Sequence, residues 1–495
     1  MTHVVVLGAG VGGLAAAIDL AAAGLRVTVV EPLPQPGGKA NIARHEGVSF
    51  DTGPSVLTLP GVFDALFRRA GTCLADSVSI TRLPIASRYR FPDGTVVDLH
   101  GDAEATRSSI KAAFGAQASH ELDAFLAYAA RIWQAAAPHF VEGDAPTPGR
   151  LMQLGLTALT ALPAIDPLRS MERAIAAKVS HPGLRWILAR YATYNGSHPA
   201  RAPATLNCIA HVELGVGVHG VEGGIHALIT ALASTAARLG VQLNLGVAAT
   251  RVLTERGYVS GVALSDGRTL SCDAVVCNAD VAHLAADLLS TSVPHRLRPQ
   301  PPSMSGWVGV FRAKRRREEA RPAHEVLFPA HYPDEFRDIF DADRPPNEPT
   351  VYLCAQEKAH QRTGWAEHEP VFVMANAPAE PVAGPRPDEV WATLRGAVTR
   401  RLRHAGLLDP EDELVWTRTP TELAQTFPRT RGAIYGAASN STLSAFRRPA
   451  NRVTTVPGLY LASGSAHPGG GLPLCALSGR AAARNLLSDL HGRTR

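Results

Sequence analysis

The chain has 495 residues, more than one compact core normally accommodates, so two or three domains are expected. Apolar residues make up 45% of it and charged residues 19%, which is typical of a folded globular protein and excludes a largely disordered one. The six cysteines form no CxxC pair and show no metal-ligand spacing. We therefore expect reduced thiols, a cytoplasmic protein and no metal site.

The formal net charge of +5 includes four short basic clusters, at residues 68–69, 314–317, 400–401 and 447–448. Solvated faces, an anionic membrane surface and nucleic acid are the three interpretations of such clusters. They are scattered and have no interleaved aromatic residues, which favours solvated faces first and a membrane second. No nucleic-acid partner is predicted.

The first elements are predicted within about thirty residues of the N-terminus. A β-branched run at 4–7 predicts a strand, and 15–23 reads as a helix. The glycine-rich loop GAGVGG at 8–13 lies between them, and a second strand at 26–30 ends at Glu31. This order of strand, GxGxxG loop, helix, strand and acidic residue predicts a Rossmann-type dinucleotide-binding unit in an α/β fold.

Each part of this unit has a physical task. Gly8 permits the tight turn, Gly10 lets the backbone approach a pyrophosphate, and Gly13 lets helix and strand pack closely. The helix N-terminus offers free N–H groups to phosphate. Glu31 is placed to accept ribose hydroxyls and would repel a 2′-phosphate, so NAD or FAD remains.

A second set of glycines favours FAD. Gly37, Gly38 and Lys39 follow Glu31 by a few residues, and FDTGPS follows at 50–55. An NAD domain would continue with strand–helix units here, whereas folding back with glycines suits the ribityl and flavin portion of FAD.

The middle of the chain divides into three parts. Residues 61–215 include apolar helical segments at 121–137 and 152–162, and residues 285–455 mix strands with a helix at 388–407. Between these insertions, 216–284 returns to the dinucleotide-domain pattern of a helix followed by short strands and turns. We therefore assign 1–60, 216–284 and 456–495 to an FAD domain. We assign 61–215 and 285–455 to an α+β substrate domain with a sheet floor and a helical cap.

Three glycines and a proline precede the last predicted helix, in HPGGGLPLCALSGR at 467–480. A turn needs one or two glycines, so this cluster indicates close approach of backbone to a ligand.

Together these motifs resemble the bacterial-type phytoene desaturase family of carotenoid desaturases, relatives of the amine oxidases. The matching stretches are VVVLGAGVGGLAAA, GGKANIARHEGVSFDTGPSVLTLPGVFDALF, VEGGIHALITALA, TRGAIYGAASNSTLSAFRRPANR and GLYLASGSAHPGGGLPLCALSGRAAA. They cover nearly the whole chain. GPSVLTL and HPGGGLPLCALSGR are more similar to the hydroxycarotenoid 3,4-desaturase branch than to phytoene desaturase itself.

The resemblance implies an FAD-binding, amine-oxidase-like fold in which the C-terminal segment closes over the isoalloxazine. The residues implied to bind FAD are Gly8, Ala9, Gly10, Gly12, Gly13, Glu31, Gly37, Gly38, Lys39, Gly53, Pro54, Ser55, Val247, Gly464, Gly471, Leu472 and Pro473. Lys39 departs from the arginine usual in the family, which keeps the charge but loses bidentate geometry.

The implied activity is desaturation of an acyclic C40 carotenoid, at the 3,4-bond of a 1-hydroxylated end. Phytoene desaturation and isomerisation on a reduced flavin are alternative activities, and a lipid carrier is a non-enzymatic one. Oxygen or a quinone would accept the electrons. No catalytic residue is assigned, because the cofactor carries such chemistry. His467 is interpreted as structural.

A carotenoid substrate also implies peripheral association with the cytoplasmic membrane. The apolar stretch at 150–165, with Arg150 at its edge, is the candidate for lying in the headgroup interface. A buried cap helix is the alternative for this stretch. No run of about 20 uninterrupted apolar residues predicts a spanning helix.

Overall fold

The structure is a computed structural model that describes residues 1–146, 163–289, 297, 300–317, 319–441 and 444–493. Its strands are β1 His3–Leu7, β2 Arg26–Glu31, β3 Ile42–His45, β4 Val48–Asp51, β5 Ile80–Arg82, β6 Ile85–Arg90, β7 Val96–His100, β8 His219–Val221, β9 Gln242–Leu245, β10 Ala249–Glu255, β11 Tyr258–Leu264, β12 Thr269–Ser271, β13 Ala274–Cys277, β14 Ser305–Lys314, β15 His324–Leu327, β16 Val351–Ala355, β17 His368–Ala377, β18 Glu413–Arg418 and β19 Leu459–Leu461.

Its α-helices are α1 Val11–Ala22, α2 Pro60–Arg69, α3 Ala103–Phe114, α4 Ala116–Ala136, α5 Met171–Ala176, α6 Pro182–Ala189, α7 Cys208–His211, α8 Ile225–Arg238, α9 Val281–His283, α10 Tyr332–Phe340, α11 Gln356–His360, α12 Asp388–His404, α13 Pro420–Thr426, α14 Ser444–Arg447 and α15 Leu472–Arg493. Short 3₁₀ and π turns connect several of them.

A parallel sheet holds the two ends of the chain together, in the order β19-β13-β1-β2-β9. Read from β9, the strand order is the 3-2-1-4-5 order of a dinucleotide-binding fold. Val4, Val5 and Val6 in the central strand are fully buried, because helices or loops cover both faces of the sheet. This explains why the strand is a continuous apolar run rather than an alternating one.

Helices α1 and α15 pack closely against each other beside this sheet. A Cβ at Gly479 would lie 2.1 Å from the Gly12 carbonyl oxygen, so glycine is required on the facing surface of α15. Ala15 lies beside the same contact. The close packing fixes the C-terminal helix against the first helix of the chain.

The second large sheet has seven strands in the order β18-β14-β17-β16-β15-β6-β7. Strands β14 and β17 form its longest ladder, ten antiparallel pairs from Ser305 opposite Ala377 to Lys314 opposite His368. Strands β6 and β7 come from residues 61–215 and the others from 285–455, so the two insertions share one sheet. Trp307, Phe311 and Trp391 are buried on its α12 side.

Most predicted elements lie within a few residues of their observed bounds. The α/β FAD-type fold with a sheet floor is confirmed, and the helix predicted at 121–137 begins earlier, at Ala116. The apolar segment at 152–162 lies outside the described residues. Among the helices that are described, we find none with the length and apolar character needed to cross a lipid bilayer.

Candidate functional site

The glycine-rich loop lies at the carboxyl end of β1, and packing requires several of its glycines. A Cβ at Gly13 would lie 2.0 Å from the Gly8 carbonyl oxygen, and one at Gly12 would lie 2.2 Å from that of Ala462. Gly8 itself has φ +101°. At Gly10 the nearest atom is the Asn278 side-chain oxygen, at 2.6 Å. A Cβ at Gly10 would therefore meet a side chain, which can move, whereas Cβ atoms at Gly12 and Gly13 would meet backbone, which cannot.

Helix α1 begins at this loop without help from a side chain. Its N-cap is Gly10, no described side chain caps it, and its first intrahelical bond runs from the Leu14 N–H to the Gly10 carbonyl at 2.9 Å. The N–H groups of the first turn, including those of Val11 and Gly12, are thus directed out of the helix toward an anion, as a pyrophosphate site requires.

Glu31 ends β2 and is 4% exposed. One carboxylate oxygen accepts the Ala9 N–H at 2.6 Å and the other accepts the Leu33 N–H at 2.9 Å. The two hydrogen bonds lower the pKa of Glu31, but burial has the larger effect, so the pKa is raised overall. Each oxygen keeps a further lone pair, so ribose hydroxyls can still bind and would favour the ionised form.

The second glycine set turns back onto the first loop. The Gly37 N–H donates to the Ala9 carbonyl at 2.9 Å. A Cβ at Gly38 would have only the Gly10 Cα within reach, at 3.6 Å, so there is room beside this residue. A Cβ at Gly53 would lie 2.0 Å from the Lys39 carbonyl oxygen, which places residues 53–55 directly against this turn.

Three deep cations lie near these glycines, and each donates to backbone carbonyls. Lys39 Nζ donates to Ala433 at 2.7 Å and Ile434 at 3.0 Å. Arg448 donates to Gly464 at 2.9 Å and Ala437 at 3.1 Å, and Arg418 donates to the Thr52 carbonyl at 2.7 Å.

Burial lowers the pKa of Lys39 and brings those of Arg418 and Arg448 down to about 10. No described carboxylate lies within ion-pair distance of any of the three side chains. Arg448 is buried, and Lys39 and Arg418 are half-buried. Removing such a group of cations from water is costly unless an anion neutralises it. Asp280 lies near enough to raise the pKa values of Lys39 and Arg448 in part, without forming an ion pair, and the diphosphate of a dinucleotide would be a further anion suited to this site.

The C-terminal glycines have different roles. A Cβ at Gly464 would lie 3.3 Å from the Gly470 Cα and 3.4 Å from the Cys475 sulfur, and one at Gly470 would lie 2.9 Å from the Tyr435 Cα. Gly471 has φ +113° and no atom within 4 Å of its Cβ position. Gly471 is thus the glycine of this group with free space beside it.

The remaining predicted residues lie around this group. Leu472 begins α15 and Pro473 follows in its first turn, as predicted. The Ser55 hydroxyl lies 2.7 Å from that of Tyr352. The N–H of Val247 donates to the Glu31 carbonyl at 3.0 Å, so its carbonyl is the backbone group left for an adenine. The assignment of individual residues to FAD stays a prediction.

Sequence reasoning missed two residues beside the site. Asn278, at the end of β13, reaches the glycine-rich loop and donates to the Ala462 carbonyl. Tyr435 packs on Gly470, which lies in the C-terminal glycine group, whereas residues 462–486 themselves contain no aromatic residue. Both come from distant parts of the chain. Two sequence features could have indicated them: Asn278 directly follows a predicted strand, and Tyr435 lies within a stretch that resembles the family.

His467 has the contacts of a structural residue. It is 3% exposed, its N–H donates to the Pro449 carbonyl at 2.9 Å, and its ring nitrogen lies 3.2 Å from the Gly143 carbonyl. Burial lowers the pKa of His467 to about 4, so the ring is neutral.

Asp51 connects the start of α8 to the segment that follows α11. It is 2% exposed and accepts the N–H groups of Ile225 at 2.8 Å and His226 at 3.2 Å. Arg362, just after α11, also donates to it, at 3.0 Å. One carboxylate therefore caps a helix and pairs with an arginine that is distant in the sequence.

The predicted basic clusters form few free positive charges. Arg315 pairs with Glu357 at 2.7 Å and Arg316 with Asp409 at 2.8 Å. Arg448, described above, is buried in the site. This supports the interpretation of the clusters mainly as paired surface groups.

These observations fit FAD. The loop leaves uncapped N–H groups for a diphosphate, Glu31 has acceptor capacity for a ribose, and there is room beside Gly38 and Gly471. The three cations match a negatively charged cofactor. Within the described ranges no group of histidine, cysteine and acidic side chains is arranged to hold a metal ion.

The family described as Flavin containing amine oxidoreductase matches residues 11–487. The chain belongs to this family, and FAD is its cofactor. An oxidoreductase structure from Methanosarcina mazei superposes with a TM-score of 0.63 at 17% identity, covering 98% of this chain and 100% of that one, so the two share a fold.

Two relatives indicate to which members of the family this chain is similar. A hydroxyneurosporene desaturase of Rhodobacter capsulatus is 37% identical over 492 residues, which is 99% of this chain and 98% of that protein. A 4,4'-diapolycopene oxygenase of Methylomonas sp is 32% identical over 99% of this chain and 98% of that protein. The chain thus lies among the carotenoid-modifying members of the family.

Proposed function

We propose that this protein is an FAD-dependent carotenoid desaturase that introduces the 3,4 double bond into a 1-hydroxylated acyclic C40 carotenoid. The full-length similarity to a hydroxyneurosporene desaturase carries the proposal, since it spans both domains. The dinucleotide site with its three cations supports it.

Bound FAD supplies a two-electron acceptor for the hydride that leaves the carotenoid. Lys39 and Arg448 bring positive charge to the site, which stabilises negative charge developing there on reduction. Hydride loss beside a conjugated chain leaves a delocalised carbocation, so the neighbouring proton can leave to water or a weak base. This explains why the site shows no strong general base among its described residues.

Anaerobic incubation with candidate carotenoids tests the proposed function. Phytoene, lycopene and a 1-hydroxylated acyclic carotene are offered to the enzyme separately. We expect flavin bleaching to be fastest with the hydroxylated carotene, because its cation is better stabilised than the one from phytoene's short triene and its hydroxyl, which lycopene lacks, can be recognised. The product should be two hydrogens lighter than the substrate by mass spectrometry.

Other outcomes identify the alternatives. Faster conversion of phytoene would assign a phytoene desaturase, and a product of unchanged mass would assign an isomerase. Added oxygen in the product of a parallel incubation in air would assign an oxygenase like the second relative. Carotenoid binding by a colourless protein without flavin would indicate a lipid carrier.

The proposal extends to peripheral membrane association, with oxygen or a quinone as electron acceptor. The substrate is essentially confined to lipid. A groove of about 660 Å³ between α2 and α15 combines Arg69, Arg480 and Arg484 with apolar Val62 and Leu487. Arg480 pairs with Asp19 at 3.2 Å and Arg484 with Asp144 at 2.9 Å, whereas Arg69 has no ion pair with a described residue. Arg69 is thus an arginine of this groove without an ion pair among the described residues, although it lies close enough to Asp19 to act on the pKa of that carboxyl.

We expect the protein to float with vesicles that contain anionic lipid, and binding should weaken with added salt because exposed charges are screened. Arg69→Glu should reduce the bound fraction. Arg256→Glu, in an exposed β-turn, is the matched control and should have little effect. Failure to float at any lipid composition would contradict membrane association.

A further inference from the structure

A group of polar side chains is buried in the substrate domain, where an entirely hydrocarbon substrate would need none. We call it the Arg190 cluster: Tyr89, Arg190, Tyr191, Tyr194, Glu213 and Tyr352. Arg190 is 6% exposed and Glu213 is 1% exposed. Burying such charges is expensive, and replacing them by apolar residues is often neutral or stabilising. The cluster therefore calls for a functional reason.

Hydrogen bonds order the cluster. Arg190 Nη1 donates to the hydroxyls of Tyr89 and Tyr194, both at 3.2 Å. Glu213 accepts the hydroxyl of Tyr191 at 3.0 Å on one oxygen and that of Tyr194 at 2.5 Å on the other. The guanidinium carbon of Arg190 also lies 5.8 Å from the centre of the Tyr352 ring.

Two of the tyrosines differ from the others in exposure. Tyr89 and Tyr191 are fully buried, whereas Tyr194 and Tyr352 keep accessible surface. Yet Tyr194 and Tyr352 are deep enough for burial to raise the pKa of each phenol well above 10. The hydrogen-bond partners Arg190, Glu213 and His324 are themselves buried, which places the accessible surface of Tyr194 and Tyr352 in an internal cleft.

This cleft lies next to the flavin glycines, as two chains of contacts show. Gly470 packs on Tyr435, and the Tyr435 ring would lie 3.0 Å from a Cβ at Gly196, two residues after Tyr194. On the other side, the Tyr352 hydroxyl lies 2.7 Å from that of Ser55, close to the turn that contains Lys39.

The position matches the proposed substrate. The hydroxyl oxygen on C1 is separated from C3 by three single bonds of about 1.5 Å each. The carbon of the 3,4-bond that gives up the hydride must lie about 3–3.5 Å from the hydride acceptor, and its neighbour is one bond further on. A group that recognises this hydroxyl must therefore be close to the flavin, and a polar partner at a remote end of a tunnel could not reach it.

The Tyr194 hydroxyl has one hydrogen-bonding position left. It donates to Glu213 and accepts from Arg190, and a hydroxyl can make one donation and two acceptances. The Tyr352 hydroxyl has Ser55 at 2.7 Å and His324 Nδ1 at 2.8 Å as partners and is in the same situation. Each can accept the O–H of an alcohol.

We propose that Tyr194, held by Glu213 and Arg190 and supported by Tyr352, binds the tertiary hydroxyl of the carotenoid and determines specificity for hydroxylated substrates. This inference rests on the proposed desaturase function. It assigns to Arg190 and Glu213 the role of orienting one acceptor beside the reacting carbons.

The test compares Tyr194→Phe with Tyr191→Phe. Each variant removes one hydroxyl from Glu213, but Tyr191 is fully buried and does not reach the cleft. The readout is kcat/KM for the hydroxylated carotene divided by kcat/KM for the same carotene without the hydroxyl. We expect Tyr194→Phe to lower this ratio by about tenfold, the effect of one lost hydrogen bond, and Tyr191→Phe to leave it unchanged.

A second readout does not depend on turnover. The hydroxylated product and its unhydroxylated counterpart are titrated into oxidised enzyme, and the dissociation constants are read from the carotenoid absorption shift. The wild type should prefer the hydroxylated compound, and Tyr194→Phe should lose that preference. If Tyr194→Phe fails to fold, as judged by its flavin content, Tyr352→Phe is measured in the same way and should lose the preference too.

The results separate the two proposals. A wild type that discriminates in binding but desaturates neither carotene would refute the desaturase and keep the hydroxyl site. An unchanged ratio in Tyr194→Phe, or equal losses in Tyr194→Phe and Tyr191→Phe, would overturn the role of Tyr194 while the desaturase stands. Absence of any binding preference in the wild type would also overturn it.

Discussion

Gly10→Val is expected to yield a folded protein that contains no flavin. Gly10 has φ −72°, which valine can adopt, so the backbone itself does not forbid the change. Its Cβ would lie 2.6 Å from the Asn278 side-chain oxygen, which can move, and its methyl groups would fill the space where backbone must approach a pyrophosphate. The flavin absorbance per polypeptide after purification and reconstitution measures the effect.

Two further glycines serve as comparisons for this result. Gly24 lies in the turn after α1, and no atom lies within 4 Å of its Cβ position. Gly24→Ala should therefore keep its flavin and lower the stability only modestly, because its φ is +85°. Gly13→Ala places a Cβ 2.0 Å from the Gly8 carbonyl oxygen and should lower the stability of the flavin-free protein as well. Stoichiometric flavin in Gly10→Val would refute the assignment of Gly10.

Asp51→Ala is expected to destabilise the protein by about 3–5 kcal/mol, the usual effect of breaking a buried ion pair. The change leaves Arg362, whose side chain is 9% exposed, without its carboxylate, and it removes the acceptor of the Ile225 and His226 N–H groups. Chemical denaturation of the flavin-free protein, monitored by tryptophan fluorescence, measures the loss.

The double variant Asp51→Ala/Arg362→Met provides the control. It removes the unpaired charge and should be less destabilised than Asp51→Ala alone. The single variant Arg362→Met completes a double-mutant cycle, which gives the coupling energy between the two side chains. Asp266→Ala removes one partner of the exposed pair with Arg268 and should change stability by less than about 1 kcal/mol. A loss as small for Asp51→Ala as for Asp266→Ala would contradict the role given to Asp51.

The glycine-rich loop and its flanking elements could be predicted because their signals are local. The strands predicted at 4–7 and 26–30 match β1 and β2, since each is a short apolar run bounded by glycine or by an acidic residue. The overall FAD-type fold followed from the loop together with the resemblance.

The features of the site that the sequence did not predict depend on contacts between residues that are distant along the chain. Arg448 was grouped with surface charges because its neighbour Arg447 is also basic, but the fold turns it toward Gly464 and buries it. The pairing of Glu213 with Tyr194 has no local pattern either, because the two residues lie in separate turns. Burial of a charge is decided by tertiary packing, which sequence periodicity does not reveal.

The parallel sheet has a consequence for how the protein is made on the ribosome. Strand β1 pairs on one side with β2, which is synthesised at once, but on the other side with β13, where Val4 lies opposite Ala274. At 5–20 residues per second, that edge of an entirely apolar strand waits roughly 15 to 50 s for its neighbour. The nascent chain therefore exposes an aggregation-prone edge for much of its synthesis. Expression should benefit from a chaperone that binds the emerging N-terminus.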